Sequence, residues 1–390
     1  MKTIALFCDG TWQHLDQPHP TNVVNLARAA LPSGPNGAQV IYYDDGVGVS
    51  QGVLSGATQL LGGALGKGLD YKVLRAYEFL CLNYEPGDWI FIFGFSRGAY
   101  TARSLAGLLR WAWILTRANL GRSVDAMALY RSRPEKKNTP ESDAAEKAFQ
   151  DAAEAFKTSY SYPHQMFTGK TVYQPGDPET LTPNSDCAWV QFVGVWDTVG
   201  SLGIPSNLAF APEINQRYQF YDTSLSRFVR SARHAVAIDE RRRTFSPTLW
   251  DNIGGLNTNA GADTLPYGQR PYQQQWFPGV HGSVGGGGPD GGLSLLPMLW
   301  VAEGAMLAGL AFNDADLAHY ASLAHPDANF AGGGFSWGEF VMELDGVTDR
   351  AGPDKFEEVS ESARHRWKML EDYRPKPLIN HPDVVKALDA

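Results

Sequence analysis

Apolar positions in this chain cluster into short continuous runs separated by longer stretches of helical spacing. Residues 3–8, 39–43, 89–93 and 189–196 are such runs, rich in aromatic and β-branched side chains. Runs of that length suit strands buried on both faces. A further short strand, 275–280, ends at Pro278 and Gly279. Residues 22–30, 60–82, 99–113 and 294–312 carry apolar positions at helical spacing, with Thr21 or Asn22 as the cap of the first. Strands alternating with helices predict an α/β fold with a mainly parallel sheet flanked by helices.

Two stretches break the alternation. Residues 114–187 hold a charged, proline-bearing segment, an alanine-rich amphipathic helix over 143–157 and a polar run over 162–184. This reads as a helical cap inserted between sheet elements, either a lid over the site or a surface helix pair with no gating role. Residues 244–275 are irregular and rich in Asn, Gly and Pro, a second loop insertion. Residues 313–390 read as a mixed helical C-terminal extension, and the whole of 1–390 as one domain carrying these insertions.

The candidate chemistry sits where strands end. The run 89–93 leads into Gly94-Phe95-Ser96-Arg97-Gly98, which fits G-x-S-x-G, and a helical segment follows at once. Strand, sharp turn and helix in that order is the setting of a nucleophile elbow, with Ser96 exposed at the top of the sheet. In a chain with 41 glycines the pattern alone is weak. A second match, Gly48-Val49-Ser50-Gln51-Gly52, follows polar residues and precedes no clean helix, so Ser50 reads as loop. The alternative for Ser96 is a serine that only caps the next helix. Asp197 follows the run 189–196, where a carboxylate that orients a histidine would stand; Asp239, in the segment 234–241, is its rival. That segment reads as a helix end or a short strand, with its acids and arginines paired. His281 follows a strand and precedes the glycines at 285–288, so a loop there could approach Ser96 unobstructed, while His14, His19 and His325 lie in or beside proline-containing loops. The N–H of Arg97, together with one at Gly10 or Thr11 after the first strand, would form an oxyanion hole; for Asp9-Gly10-Thr11 a plain strand-to-helix turn reads equally well.

Composition narrows the classes. Hydrophobic content of 43% and charged content of 19% are those of a globular protein. A net charge of −9 argues against a nucleic-acid partner and supplies no polybasic anchor. Cys8, Cys81 and Cys187 lie far apart, so zinc and redox readings fall away and neither metal nor cofactor is expected. Gly46-Val47-Gly48 and Gly66-Lys67 fail as dinucleotide and phosphate loops. The N-terminal apolar stretch is too short for a signal peptide, and no run approaches the ~20 residues of a membrane span. Synthesis as a soluble cytoplasmic chain is expected, with export by a route that reads no such signal left open.

Five motifs in order carry a resemblance: Phe7-Cys8-Asp9-Gly10-Thr11-Trp12, Gly94 through Arg103, Gly194-Val195-Trp196-Asp197-Thr198-Val199-Gly200, His234 through Arg241, and Trp276 through His281. Together they resemble the α/β-hydrolase family typified by the type VI secretion phospholipase effectors, across residues 1–312. The resemblance implies an α/β-hydrolase-like fold, a Ser96–Asp197–His281 triad, a phospholipid or other ester as substrate, and peripheral contact with membranes. The chain departs from the family's pattern at Gly282-Ser283, where the family usually has Ser-Asp. A carboxylate able to position the histidine loop is thus missing. The expected activity is a serine esterase, lipase or phospholipase working through an acyl-serine. The alternative is a hydrolase-fold binding or regulatory protein with a weak or inactive site.

Overall fold

The computed structural model describes residues 1–10, 13–46, 63–134, 139–162, 190–199, 223–289, 291–330 and 346–390, with the backbone alone for 63–67. Thr11, Ser50 and Cys187, and 163–187 of the first insertion, lie outside the described residues.

Seven strands form one sheet: β1 (Thr3–Cys8), β2 (Ser33–Gly34), β3 (Gly37–Asp44), β4 (Trp89–Phe95), β5 (Val190–Trp196), β6 (Val229–Ala237) and β7 (Tyr272–Phe277). Their order is β2-β3-β1-β4-β5-β6-β7. Every neighbouring pair is parallel except the short antiparallel pair of β2 and β3. The strand period of two sorts side chains cleanly. Ile4, Leu6, Ile90, Ile92, Val193 and Val195 enter one core layer. Ala5, Phe7, Phe91, Phe93, Phe95 and Trp196 enter the other. Both faces are therefore apolar, which is why these strands read as unbroken hydrophobic runs.

Helices cover both layers. Helix α1 (Asn22–Ala29), capped by Thr21 accepting from Val24 N–H, contributes Val23 and Leu26 to the Phe7–Phe93 layer. Helix α2 (Gly63–Asn83) and helix α3 (Arg97–Ala112) cover the opposite face. Two more helices from the first insertion, α4 (Ser123–Arg131) and α5 (Pro140–Tyr160), join that face through Met127, Tyr130 and Phe149. The chain thus runs from β1 outward to β3, then back across β1 to β4 and onward to β7. The strand order reverses between β1 and β4, and a crevice outside the carboxyl ends at such a switch point is where open α/β sheets place their ligands.

The remaining elements differ from the expectations in places. The segment 244–275 is less irregular than its composition suggests. It holds helix α6 (Ile253–Asn259) and ends in β7, which begins at Tyr272. A run of three glutamines conceals the strand start. The Gln273 amide donates to the carbonyls of Gly268 and Arg270, and Gln274 accepts from Trp250 N–H, so these side chains find partners as they are buried. The segment around His234 is a full strand, β6, and not a helix end. His281 opens a short helix, α7 (His281–Gly285), instead of lying in a flexible loop. Helix α8 (Leu295–Leu307) packs on the Phe7–Phe93 layer, followed by α9 (Asp314–Leu323). The extension then supplies α10 (Glu361–Met369), α11 (Lys376–Ile379) and α12 (Pro382–Leu388). Val359, Trp367, Leu378, Val384 and Leu388 form a third cluster against Val236 and Trp276, covering the β7 edge.

Candidate active site

Ser96 is the single residue between β4 and α3. A chain that leaves a strand and enters a helix within one residue must turn sharply, and Ser96 does so at φ 57°, ψ −120°. That is a region of backbone space L-residues rarely occupy, and it costs of order 1–3 kcal/mol. The flanking glycines make the turn possible. A Cβ on Gly94 would lie 2.3 Å from the Gly98 carbonyl oxygen, and a Cβ on Gly98 would lie 2.1 Å from the carbonyl oxygen of Cys8 at the end of β1. Strand, helix and neighbouring strand therefore meet with no room for side chains. Ser96 occupies the N-cap position of α3, yet its side chain makes no capping hydrogen bond. Capping does not account for the serine.

Asp197 is the first residue after β5, also at positive φ (41°). It is fully buried and its carboxylate is surrounded by donors. Oδ2 lies 2.5 Å from His281 Nδ1. Oδ1 accepts the Ala237 N–H at 2.9 Å. Arg350 closes the set as a fork, Nη1 donating to Oδ1 at 2.6 Å and Nη2 to Oδ2 at 2.9 Å. Burial works to raise the Asp197 carboxyl, but the Arg350 charge and the hydrogen bonds from His281 and Arg350 overcome it. The group is held well below the ordinary carboxylate range and is ionised. Its bond to Nδ1 assigns the proton of neutral His281 to that nitrogen and leaves Nε2 as the acceptor. Burial lowers the His281 pKa, and Asp197 opposes the shift without cancelling it.

The imidazole is fixed by its surroundings. Its ring lies 4.7 Å from that of Phe95, the residue before the serine, and 4.6 Å from that of Phe245. The departure at Gly282-Ser283 does not leave the segment without carboxylates. Glu240 accepts the His281 N–H at 3.2 Å, and Asp239 accepts the Gly279 N–H at 2.6 Å. Ser283 is fully buried, its Cβ 2.4 Å from where a Cβ on Gly279 would stand. Asn22 holds the far end of α7, its amide donating to the carbonyls of Val284 at 2.8 Å and Ser294 at 2.9 Å.

Of the two candidate acids, Asp197 is the one that meets His281. Asp239 instead accepts from Gly279 N–H and Tyr373 Oη, and burial raises its carboxyl to about 6. His234 is neutral: burial, then the Arg103 charge, lower it to about 3, and its ring bridges Gln274 and the Thr198 N–H. Gly10, the other oxyanion candidate among the described residues, has its N–H engaged in this structure. Its N–H donates to Asp9 Oδ1 at 2.7 Å, and the same buried carboxyl group accepts from the Thr21 and Tyr43 hydroxyls. Arg97 opens the first turn of α3 directly after Ser96, as expected. Arg350 was not legible at all. It stands 153 residues from Asp197 in an unremarkable Thr-Asp-Arg stretch. Among the described residues, no group of three or more His, Cys, Asp or Glu side chains is arranged to hold a metal ion. No helix among them is long and apolar enough to cross a membrane.

With this geometry in view, residues 2–304 match the family model described as type VI secretion system, phospholipase effector Tle1-like, catalytic domain. The chain belongs to this Tle1-like family. An uncharacterised protein of Saccharomyces cerevisiae, YEL023C, is 28% identical over 256 residues, covering 63% of this chain and 32% of the yeast protein. Two solved structures are also similar. One, an uncharacterised protein from Pseudomonas aeruginosa, has a TM-score of 0.38 at 16% identity, covering 88% of this chain and 52% of that one. The other, the Tle1 effector bound to the VgrG spike from the type VI secretion system, has a TM-score of 0.36 at 17% identity, covering 75% and 52%. The Tle1-like chain thus spans about a third of the yeast relative and about half of each solved structure. The family match ends at residue 304, so Arg350 lies beyond it.

Proposed function

We propose that this Tle1-like protein is a serine hydrolase of α/β-hydrolase type that cleaves a carboxylic ester of a phospholipid or related lipid. The observation that carries the reading is the strained backbone of Ser96 between β4 and α3, beside an ionised Asp197 bonded to His281. Family membership supports a lipid ester as the substrate class.

In this mechanism His281 Nε2 takes the Ser96 proton as Oγ attacks the ester carbonyl. Asp197 keeps the proton on Nδ1 and stabilises the imidazolium that forms. The Arg97 N–H donates to the oxyanion. Each such donor is worth about 3 kcal/mol in the transition state. The carbon–oxygen ester bond breaks, and the imidazolium proton leaves with the alcohol. Water then attacks the acyl-serine, His281 accepts its proton, and the acid departs as Ser96 regains its own. The insertion 114–187 leaves from the helix after Ser96 and returns on the strand that precedes Asp197, and its described helices α4 and α5 pack on the α3 face of the sheet.

The test is fatty-acid release from phospholipid vesicles and from short- and long-chain soluble esters. Release from vesicles by the natural protein and none by Ser96→Ala is expected. Turnover of short soluble esters alone would remove the lipid part of the proposal. A folded protein that turns over nothing would favour a binding role.

A further inference from the structure

The extension beyond residue 304 reaches back into the site through one strap, residues 346–352. Val347 bridges Arg242, Thr348 N–H donates to the Arg241 carbonyl at 2.7 Å, and Arg243 N–H donates to the Gly346 carbonyl at 3.2 Å. The strap is thereby fastened to the turn after β6, the same turn whose Glu240 holds the His281 N–H. On its other side the Ala351 carbonyl lies 2.6 Å from His381 Nε2, and Gly352 packs against the Pro377 backbone so closely that a Cβ would meet its oxygen at 1.9 Å. Between these attachments Arg350 turns inward and is 6% exposed. Besides its fork on Asp197, its guanidinium donates to the Ala237 and Phe245 carbonyls, each at 2.7 Å.

We infer that Arg350 is a positioning residue supplied by the C-terminal extension, whose fork fixes the Asp197 carboxylate as an anion oriented toward His281 Nδ1. This rests on the serine-hydrolase reading above for its effect on rate, though not for its effect on the Asp197–His281 pair. Two planar groups joined by two parallel bonds leave the carboxylate no freedom to rotate, and lysine cannot reproduce the fork. The two carbonyls hold the guanidinium so that the carboxylate is not required to order it. Charge follows from the same arrangement. Asp197 is fully buried, so without Arg350 its anion is left, among the described residues, with His281 and the Ala237 N–H as partners. The other charged groups near the imidazole, Glu240 and Arg242, are bound to each other at 2.7 Å. Removing the guanidinium raises the proton affinity of Asp197 by burial. It also removes a positive charge near the imidazole, which raises the proton affinity of His281. Both changes move the acid limb of activity to higher pH.

The experiment uses the full chain with Arg350→Met and Arg350→Lys, read by ester hydrolysis across pH and by the far-downfield proton signal of His281 Nδ1–H, assigned by its loss in Asp197→Asn. For Arg350→Met we expect kcat lowered up to about a hundredfold, the scale of a small misplacement of reacting groups. KM should be unchanged, the acid limb should move upward, and the proton signal should fade at a higher pH than in the natural protein. Arg350→Lys should keep the limb close to its natural place while still losing rate, and it carries the test if the methionine variant does not fold. A natural pH profile and natural proton signal in both variants would overturn the inference. If the natural protein fails to hydrolyse any ester, the hydrolase reading falls, and the proton signal alone decides whether Arg350 holds the pair.

Discussion

The backbone N–H of Ser96 donates to the carbonyl oxygen of Trp196 at 3.0 Å, and Trp196 immediately precedes Asp197. The serine and the acid are therefore backbone neighbours across the β4–β5 pair, fixed by the same ladder that builds the sheet. His281 arrives from β7, two strands beyond β5, and spans β6 to reach Asp197. The strongest backbone strain in the site falls on the two residues that the ladder fixes, at φ 57° and 41°.

Strain at Ser96 should be recoverable as stability. Replacing it with glycine removes a cost of order 1–3 kcal/mol, against ~0.5–1 kcal/mol for glycine's greater freedom in the unfolded chain. Ser96→Gly is expected to be about 1 kcal/mol more stable than the natural protein and to have no hydrolytic activity. Thermal unfolding measures the first and fatty-acid release the second. A less stable glycine variant would contradict the account of the turn.

Gly98 should tolerate no side chain. The Cβ of alanine would stand 2.1 Å from the Cys8 carbonyl oxygen, and that oxygen belongs to a strand held on both sides. Gly98→Ala should cost about 1–3 kcal/mol or more, the range for overfilled interiors. Gly121→Ala, with nothing within 4 Å of the new atom, should stay within about 0.5 kcal/mol of the natural protein. Chemical denaturation of the two variants side by side makes the comparison. Equal effects would refute the close-packing argument.

The pH profile follows from burial. The base must be neutral to act, and burial lowers the His281 pKa from its ordinary 6.5 despite the Asp197 bond. The acid limb of kcat/KM should therefore lie below 6.5. The same shift has a stability sign. A histidine whose folded pKa is depressed binds fewer protons folded than unfolded, so its contribution is full above about 6.5 and declines as pH falls below it. Asp197, depressed as well, loses its contribution only below the ordinary carboxylate value of 3.8. A rate profile whose acid limb lies above 6.5 would show that the imidazole is not held as described.

Asn22 offers a test of how α7 is anchored. Its amide serves two buried carbonyls, Val284 and Ser294, across more than 260 residues of chain. Asn22→Leu leaves both without that donor, at about 1–3 kcal/mol each. We expect a loss of about 2–6 kcal/mol in urea unfolding, together with a lower kcat as the histidine helix loosens. Natural stability in this variant would mean the carbonyls find other partners.

The elements that were legible in the sequence are those whose physics is local. β1, β4 and β5 are apolar on both faces, so their runs announce them, and the glycines around Ser96 mark a place where backbone must meet backbone. β6 was harder to read because its polar residues are satisfied at a distance. Arg233 pairs with Glu303 at 2.6 Å, and His234 meets Gln274 at 3.0 Å. The glycines at 285–288 suggest a loop, yet 281–285, docked on Asn22, Asp239 and Glu240, is a short helix. Nothing local in the sequence shows that Asp9 takes the Gly10 N–H. Arg350 left no signal, since its meaning lies wholly in a partner far upstream.

The most direct test of the central claim, that Ser96 is activated by His281 and Asp197, is to treat the folded protein with a fluorophosphonate and map the adduct by mass spectrometry. The account predicts one adduct, on Ser96, forming rapidly in the natural protein, at a rate lower by orders of magnitude in His281→Ala and Asp197→Asn. An adduct on another residue, or labelling of Ser96 that proceeds equally fast in those two variants, would contradict it.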